Sequence, residues 1–151
     1  MNVVREAALF IAQSHTSLRV GELSREALTI LRLEWRGGYV ECDWLMRPID
    51  PWDRNLPQQK ALEQQTLQAF RDALALRELV YASFTTAMDA QLRMFRADRD
   101  RRLELFMAGQ TTRLNQYSNR VPSLAMRAKL SGFRFVLSNG ILEGPLKDEV
   151  G

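Results

Sequence analysis

Cys42 and His15 are the chain's one cysteine and one histidine. A fold that brought them together would pair a thiolate nucleophile with its base. The neighbours of Cys42 favour a blander role: Val40, Cys42 and Trp44 alternate with Glu41 and Asp43, which places the thiol on an apolar strand face as a small buried hydrophobe. His15 follows an apolar segment and suits a helix C-terminus or an exposed position. No catalytic residue is assigned on these grounds.

Glu41, Asp43, Asp50 and Asp53 gather within thirteen residues, the density of oxygen ligands that a hard cation takes. They lack the alternating ligands, turn glycine and closing glutamate of a calcium loop. Turn capping and pairing with Arg36, Arg47 and Arg54 account for them better. A di-iron bundle needs Glu-x-x-His pairs on facing helices, which one histidine cannot supply. No glycine loop of the phosphate-cradling type occurs. The expectation is therefore no metal and no cofactor.

Two other groups of residues could recognise a partner. Between Arg93 and Arg134 there are ten basic residues against three acidic ones, whereas residues 1–57 carry seven arginines against eight acids. Arg93, Arg96, Arg99, Arg101 and Arg102 could contact phosphates. Asp98, Asp100 and Glu104 lie among them, so a solvated, locally paired face is favoured over a nucleic-acid site. Tyr39, Trp44, Arg47 and Trp52 belong to the types that dominate interface hot spots, and Pro48, Pro51 and Pro57 would hold them with little ordering cost. They either form a specific interface or ligand surface, or close the end of the core.

The elements that must position these residues read as helices. Val3 to His15 and Ser24 to Trp35 have apolar residues stepping by three and four, with Arg36-Gly37-Gly38 as the stop. Tyr39 to Pro57 is a short strand and a long Trp- and Pro-rich loop. From Gln58 to Ala108 there is no Gly and no Pro, and an unbroken helix there would span about 75 Å. A strict heptad puts Arg77, Gln91, Asp98 and Arg102 at core positions, which excludes a simple two-stranded coiled coil. A period near 3.6 through Leu62, Ala69, Ala73, Leu76, Val80, Phe84, Met88, Leu92, Phe95, Leu103 and Phe106 gives a broad bundle face. Breaks are expected at Ser83 to Thr86 or at Arg96 to Arg102, if anywhere. Thr111 to Ser118 reads as a short helical piece. A last helix is expected from Pro122 to Ile141 with Asn139-Gly140 as its cap, in preference to a hairpin through Asn139-Gly140.

The expected fold is thus all-α: a bundle of about five or six helices with one long Trp/Pro-rich loop and a very long or once-broken central helix. Residues 1–144 form a single domain and 145–151 a frayed tail. At 151 residues, 46% hydrophobic and 26% charged, the chain can bury its own core. One cysteine excludes an intramolecular disulfide and no run approaches a membrane span, so the expected compartment is the cytoplasm, with no membrane partner. The leading functional expectation is a non-enzymatic interaction or scaffold protein, a homo-oligomer or partner of another protein, joined through an apolar helix stripe that includes Phe84, Met88 and Phe95. The alternatives are nucleic-acid or anion binding by the Arg-rich region 93–134, and small-ligand binding at the Trp-rich loop.

Overall fold

The computed structural model describes residues 28–49, 53–114 and 120–147. Their architecture is mixed α/β, which overturns the all-α bundle. Strands β1 (Ile30–Arg36), β2 (Tyr39–Leu45), β3 (Asp89–Ala97), β4 (Leu103–Thr112) and β5 (Phe133–Arg134) make one sheet in that spatial order. Helix α1 (Gln58–Ser83) connects β2 to β3, and helix α2 (Leu124–Leu130) precedes β5. Strands β6 (Val136–Ser138) and β7 (Ile141–Glu143) form a separate two-stranded ribbon.

Expected helix 24–35 is replaced, over its described part, by β1. Arg32, Glu34 and Arg36 alternate with Leu33 and Trp35 along it, and only the latter two pack on the core. Gly37, at φ 58°, then supplies the left-handed corner of a two-residue turn that pairs Arg36 with Tyr39. The glycines read as a helix stop are a hairpin turn. The helix expected from Val3 to His15 lies outside the described residues.

The 51-residue stretch without Gly or Pro is neither one helix nor two. The helix ends at Ser83, where the Phe84 amide still donates to the Val80 carbonyl at 2.8 Å. Both expected break points are real boundaries, but beyond the first the chain forms a β-hairpin. Met88, Leu92 and Phe95 satisfy helical spacing, while Ala90, Leu92 and Met94 satisfy period two. The structure buries the second set and leaves Met88 exposed. The Arg96–Arg102 stretch loses its apolar stripe because it contains the β3–β4 turn. There the Asp98 carboxylate accepts from the amides of Asp100 and Arg102 at 2.8 and 2.9 Å, and Arg101 takes φ 63°.

The last helix also stops early. Ser123 caps α2 by accepting from the Met126 amide at 3.3 Å, and the segment turns at Gly132, whose φ of 103° suits only glycine. A Cβ there would lie 2.4 Å from the Gln110 carbonyl oxygen. Asn139 and Gly140, at φ 53° and 80°, are the corner of the β6–β7 hairpin, pairing Ser138 with Ile141. Thr111 and Thr112, expected in a short helix, finish β4, and residues 115–119 of that piece lie outside the described residues.

The core lies between α1 and one sheet face. Val40, Cys42 and Trp44 from β2, Ala90, Leu92 and Met94 from β3, and Met107 from β4 meet Ala69, Phe70, Ala73, Leu76 and Val80 of the helix. Phe70 meets Phe135 edge-on with centroids 4.7 Å apart. β2 and β3 run parallel with an unbroken register from Tyr39↔Asp89 to Leu45↔Phe95, so both strands end on the same side, where α1 begins.

Candidate ligand groove

A groove of about 890 Å³ opens at that side. Leu45, Met46 and Ala97 come from the ends of β2 and β3, and Pro48, Ile49, Arg54 and Leu56 from the loop that leaves β2. The first two turns of α1 add Gln58, Ala61 and Gln65, and the end of β3 adds Arg96. Most of this lining is apolar, and its volume falls within the ~300–1,000 Å³ range of small-molecule sites. Among the described residues no carboxylate lines it.

Local chemistry explains why the loop stands off the strands. The Met46 amide donates to the Phe95 carbonyl at 2.7 Å, carrying the parallel pairing one step beyond β2. Arg47 then turns inward, 4% exposed, and meets Asp72 of α1 with Nη2 donating to Oδ1 at 3.1 Å and Nε 3.0 Å from Oδ2. Gln65 donates from Nε2 to the Arg47 carbonyl at 2.9 Å, and Gln68 to Asp72 at 2.9 Å. The loop wall is therefore fastened to the helix by charge and amide contacts, while Pro48 and Ile49 project their carbon at the groove. At the start of α1, Pro57 gives no side-chain cap and the first turn holds no acid, so neither offsets the positive end of the helix dipole.

Among the described residues, two arginines supply the groove's charge. Arg54 is exposed and forms no ion pair among the described residues. The Arg96 guanidinium lies 4.1 Å from the centroid of the Phe106 ring and only loosely faces Glu104, at 3.9 Å. Stacking on a buried ring holds the charge in place with its donors outward.

The residues singled out by type are dispersed. Trp44 is fully buried in the core and is not among the residues that line this groove, and Arg47 is the buried partner of Asp72; Trp52 lies outside the described residues. Tyr39 is half-buried beside Glu34 and Glu41 near the β1–β2 turn. Phe84 is buried against Trp35, centroids 6.1 Å apart, and Met88 is exposed. Phe95 lies beneath the Arg93 guanidinium at 5.3 Å. These three do not form one stripe.

Nor do the five arginines share a helix face. Arg93 is bound to Asp43, Arg96 lines the groove, and Arg99, Arg101 and Arg102 are exposed at the β3–β4 turn. Of the acids expected to pair with Arg36, Arg47 and Arg54, Glu41 and Asp43 choose other partners, and Asp50 lies outside the described residues. On the sheet face opposite α1, Asp43 accepts from Arg93 Nε and Nη2 at 2.9 and 2.8 Å and from Arg32 Nε at 3.1 Å. Arg32 also donates to Glu41 at 2.8 Å. The Asp43 hydrogen bonds raise both guanidiniums above their usual range, keeping them charged. Burial pushes the Cys42 thiol up to about 12, so it stays protonated and unreactive at neutral pH. His15 lies outside the described residues.

The sequence draws attention to the loop through its tryptophans, yet the side chains that form the groove are those of Met46, Ile49, Leu56, Arg54 and Arg96. The signal that could have found them is the strand after α1, without which no second strand end exists to frame a site. Compared with protein-family models, with curated proteins and with solved structures, the chain matches none.

Proposed function

We propose that this protein binds a small molecule in the groove at the carboxyl ends of β2 and β3. The observation that carries the reading is the position of the cavity: in α/β sheets the crevice beyond the strand ends, beside a helix start, is where ligands sit. Its apolar lining with four polar side chains supplies both burial and orientation for a ligand. Self-association through a long apolar helix stripe loses its premise, because the stripe of α1 is covered by the sheet and Phe84 to Phe106 belong to a loop and a hairpin. Nucleic-acid binding is less favoured, because Arg93 is committed to Asp43, and Asp98 and Asp100 lie among Arg99, Arg101 and Arg102 in the β3–β4 turn.

The test is a thermal-shift screen of a metabolite library against the wild type and two groove-filling variants, Ala61→Trp and Leu56→Trp. Ligands should raise the midpoint of the wild type and lose that effect in whichever variant keeps the native circular dichroism. A library that shifts none of the three proteins, or shifts all three equally, overturns the reading.

A further inference from the structure

Strand β1 is an edge of the five-stranded sheet, and among the described residues only β2 pairs with it. The two-residue turn closes on Arg36 and Tyr39, so hydrogen-bonded pairs alternate back along the hairpin from Arg36 through Glu34 to Arg32. The N–H and C=O groups of Leu33 and Trp35 point the other way. A shallow depression of about 250 Å³ is lined by Leu33, Glu34, Trp35 and Arg36. Consecutive residues of one strand belong to both of its faces, so this depression runs along the edge. A seven-residue edge without Pro or Lys is a template for a further strand. The opposite edge is blunted: β5 has two residues, and the Leu146 amide donates to the Leu105 carbonyl of β4 at 2.7 Å.

The charges along β1 select the strand that fits. Arg32 and Glu34 lie side by side on the face away from α1, Nη1 2.8 Å from Oε2, and the Glu34 side chain is 52% exposed. A second β1 laid antiparallel about a two-fold axis at Leu33 overlaps all seven residues. Leu33 then faces Leu33, and each N–H meets the other's carbonyl. Arg32 falls across from Glu34 of the second copy and Glu34 across from its Arg32, so one symmetric contact makes two opposite-charge pairs. Trp35 falls opposite Leu31, which is 38% exposed. An axis one residue to either side sets Arg32 against Arg32 or Glu34 against Glu34. An axis at Trp35 matches Glu34 with Arg36 but runs the second strand into the Gly37-Gly38 turn.

We infer that two copies of this chain join β1 to β1, antiparallel and centred on Leu33, so that their sheets continue into one another. The occupant of the edge is a second copy because the order Arg32, Leu33, Glu34 is complementary to itself in this register.

Sedimentation equilibrium of the full chain should show a reversible monomer–dimer step below about 1 mM. Amide hydrogen exchange locates it: the Leu33 and Trp35 amides should exchange faster on dilution, whereas the Glu34 amide, which faces β2, should not change. Glu34→Lys and Arg32→Glu each set like charges across both pairs and should weaken association about tenfold. Mixing these two variants should restore a dimer with one copy of each, because every cross-strand pair is then opposite in charge; an axis at Trp35 predicts no such rescue. Both variants are first checked for native circular dichroism, and if Arg32→Glu fails to fold, Glu34→Lys and the exchange measurement decide. A chain still monomeric at about 1 mM, or a dimer indifferent to Glu34→Lys, overturns the inference. Leu33 protection that persists on dilution means that the chain's own residues cover the edge, and overturns it too. Two folded variants that stay apart when mixed overturn the register about Leu33.

Discussion

Removing Asp43 should cost stability in a graded way that the geometry ranks beforehand. Its carboxylate is 8% exposed and accepts three N–H groups from Arg32 and Arg93, which are 32% and 30% exposed. Arg93 and Asp43 are also register partners across the parallel β2–β3 pair, so the bidentate bond marks the register as well as neutralising a charge. Asp43→Ala leaves Arg93 with no ion-paired acid among the described residues and only the weaker field of Glu41, whereas Arg32 keeps Glu34 and Glu41. The expected cost is about 2–3 kcal/mol for Asp43→Ala, where charge-assisted bonds are lost from a mostly buried acceptor. Arg93→Ala should cost roughly 2 kcal/mol, and Arg32→Ala about 1 kcal/mol or less, because part of its pairing is exposed. Urea unfolding with a common slope measures each, and 2 kcal/mol corresponds to a fall in Tm of roughly 4–8 °C at this size. A double-mutant cycle between positions 43 and 93 should give a coupling above about 1 kcal/mol that survives 1 M salt, since a buried acceptor is little screened. Strict additivity, or coupling abolished by salt, would refute the view that this pair is a buried clasp.

Gly132→Ala should lower stability by roughly 3 kcal/mol, combining left-handed backbone strain with loss of the bond from the Gln110 amide to the Gly132 carbonyl. Gly38→Ala, whose Cβ would meet only the Thr86 carbonyl at 3.7 Å, should stay within about 0.5 kcal/mol; equal losses in the two denaturation curves would count against the packing at Gly132. Alkaline pH should weaken the fold through Cys42. Its native pKa of about 12 lies above its ordinary 9.0, so the unfolded thiol ionises first: the stabilisation is intact below pH 9 and lost as pH rises toward 12. Near pH 10 the loss is on the order of 1 kcal/mol. Cys42→Ala should flatten the stability profile between pH 8 and 10, and an unchanged slope would show that the thiol is not buried as described.

How much of this fold is legible in the sequence depends on how many residues a pattern needs. β2 is readable from Val40, Cys42 and Trp44, because strict alternation with acids admits one interpretation. Helix α1 is readable from Ala69, Ala73, Leu76 and Val80, but its end is not, because Ser83 to Thr86 is only one of two places where a longer helix could break. β3 is not, because Leu92 belongs equally to a helical series with Met88 and Phe95 and to an alternating series with Ala90 and Met94; the sheet partner that decides between them is fifty residues away. The final hairpin is hidden for a different reason. Asn139-Gly140 serves a helix cap and a hairpin corner alike, and only the conformation of the isolated Gly132, which breaks the expected helix, separates the two. The groove inherits both ambiguities: Arg54 and the loop aliphatics stand out in the chain, but Arg96 reaches the same site only if its segment is a strand.

The parallel register between β2 and β3 joins residues fifty apart at every step, from Tyr39 with Asp89 to Leu45 with Phe95. The β1–β2 and β3–β4 hairpins need only local chain closure and can form early, but their union waits on a long loop and a 26-residue helix being in place. The groove has one wall from each side of that union. A population that has lost the β2–β3 seam therefore lacks the groove altogether, and any ligand that binds there would stabilise the seam by mass action.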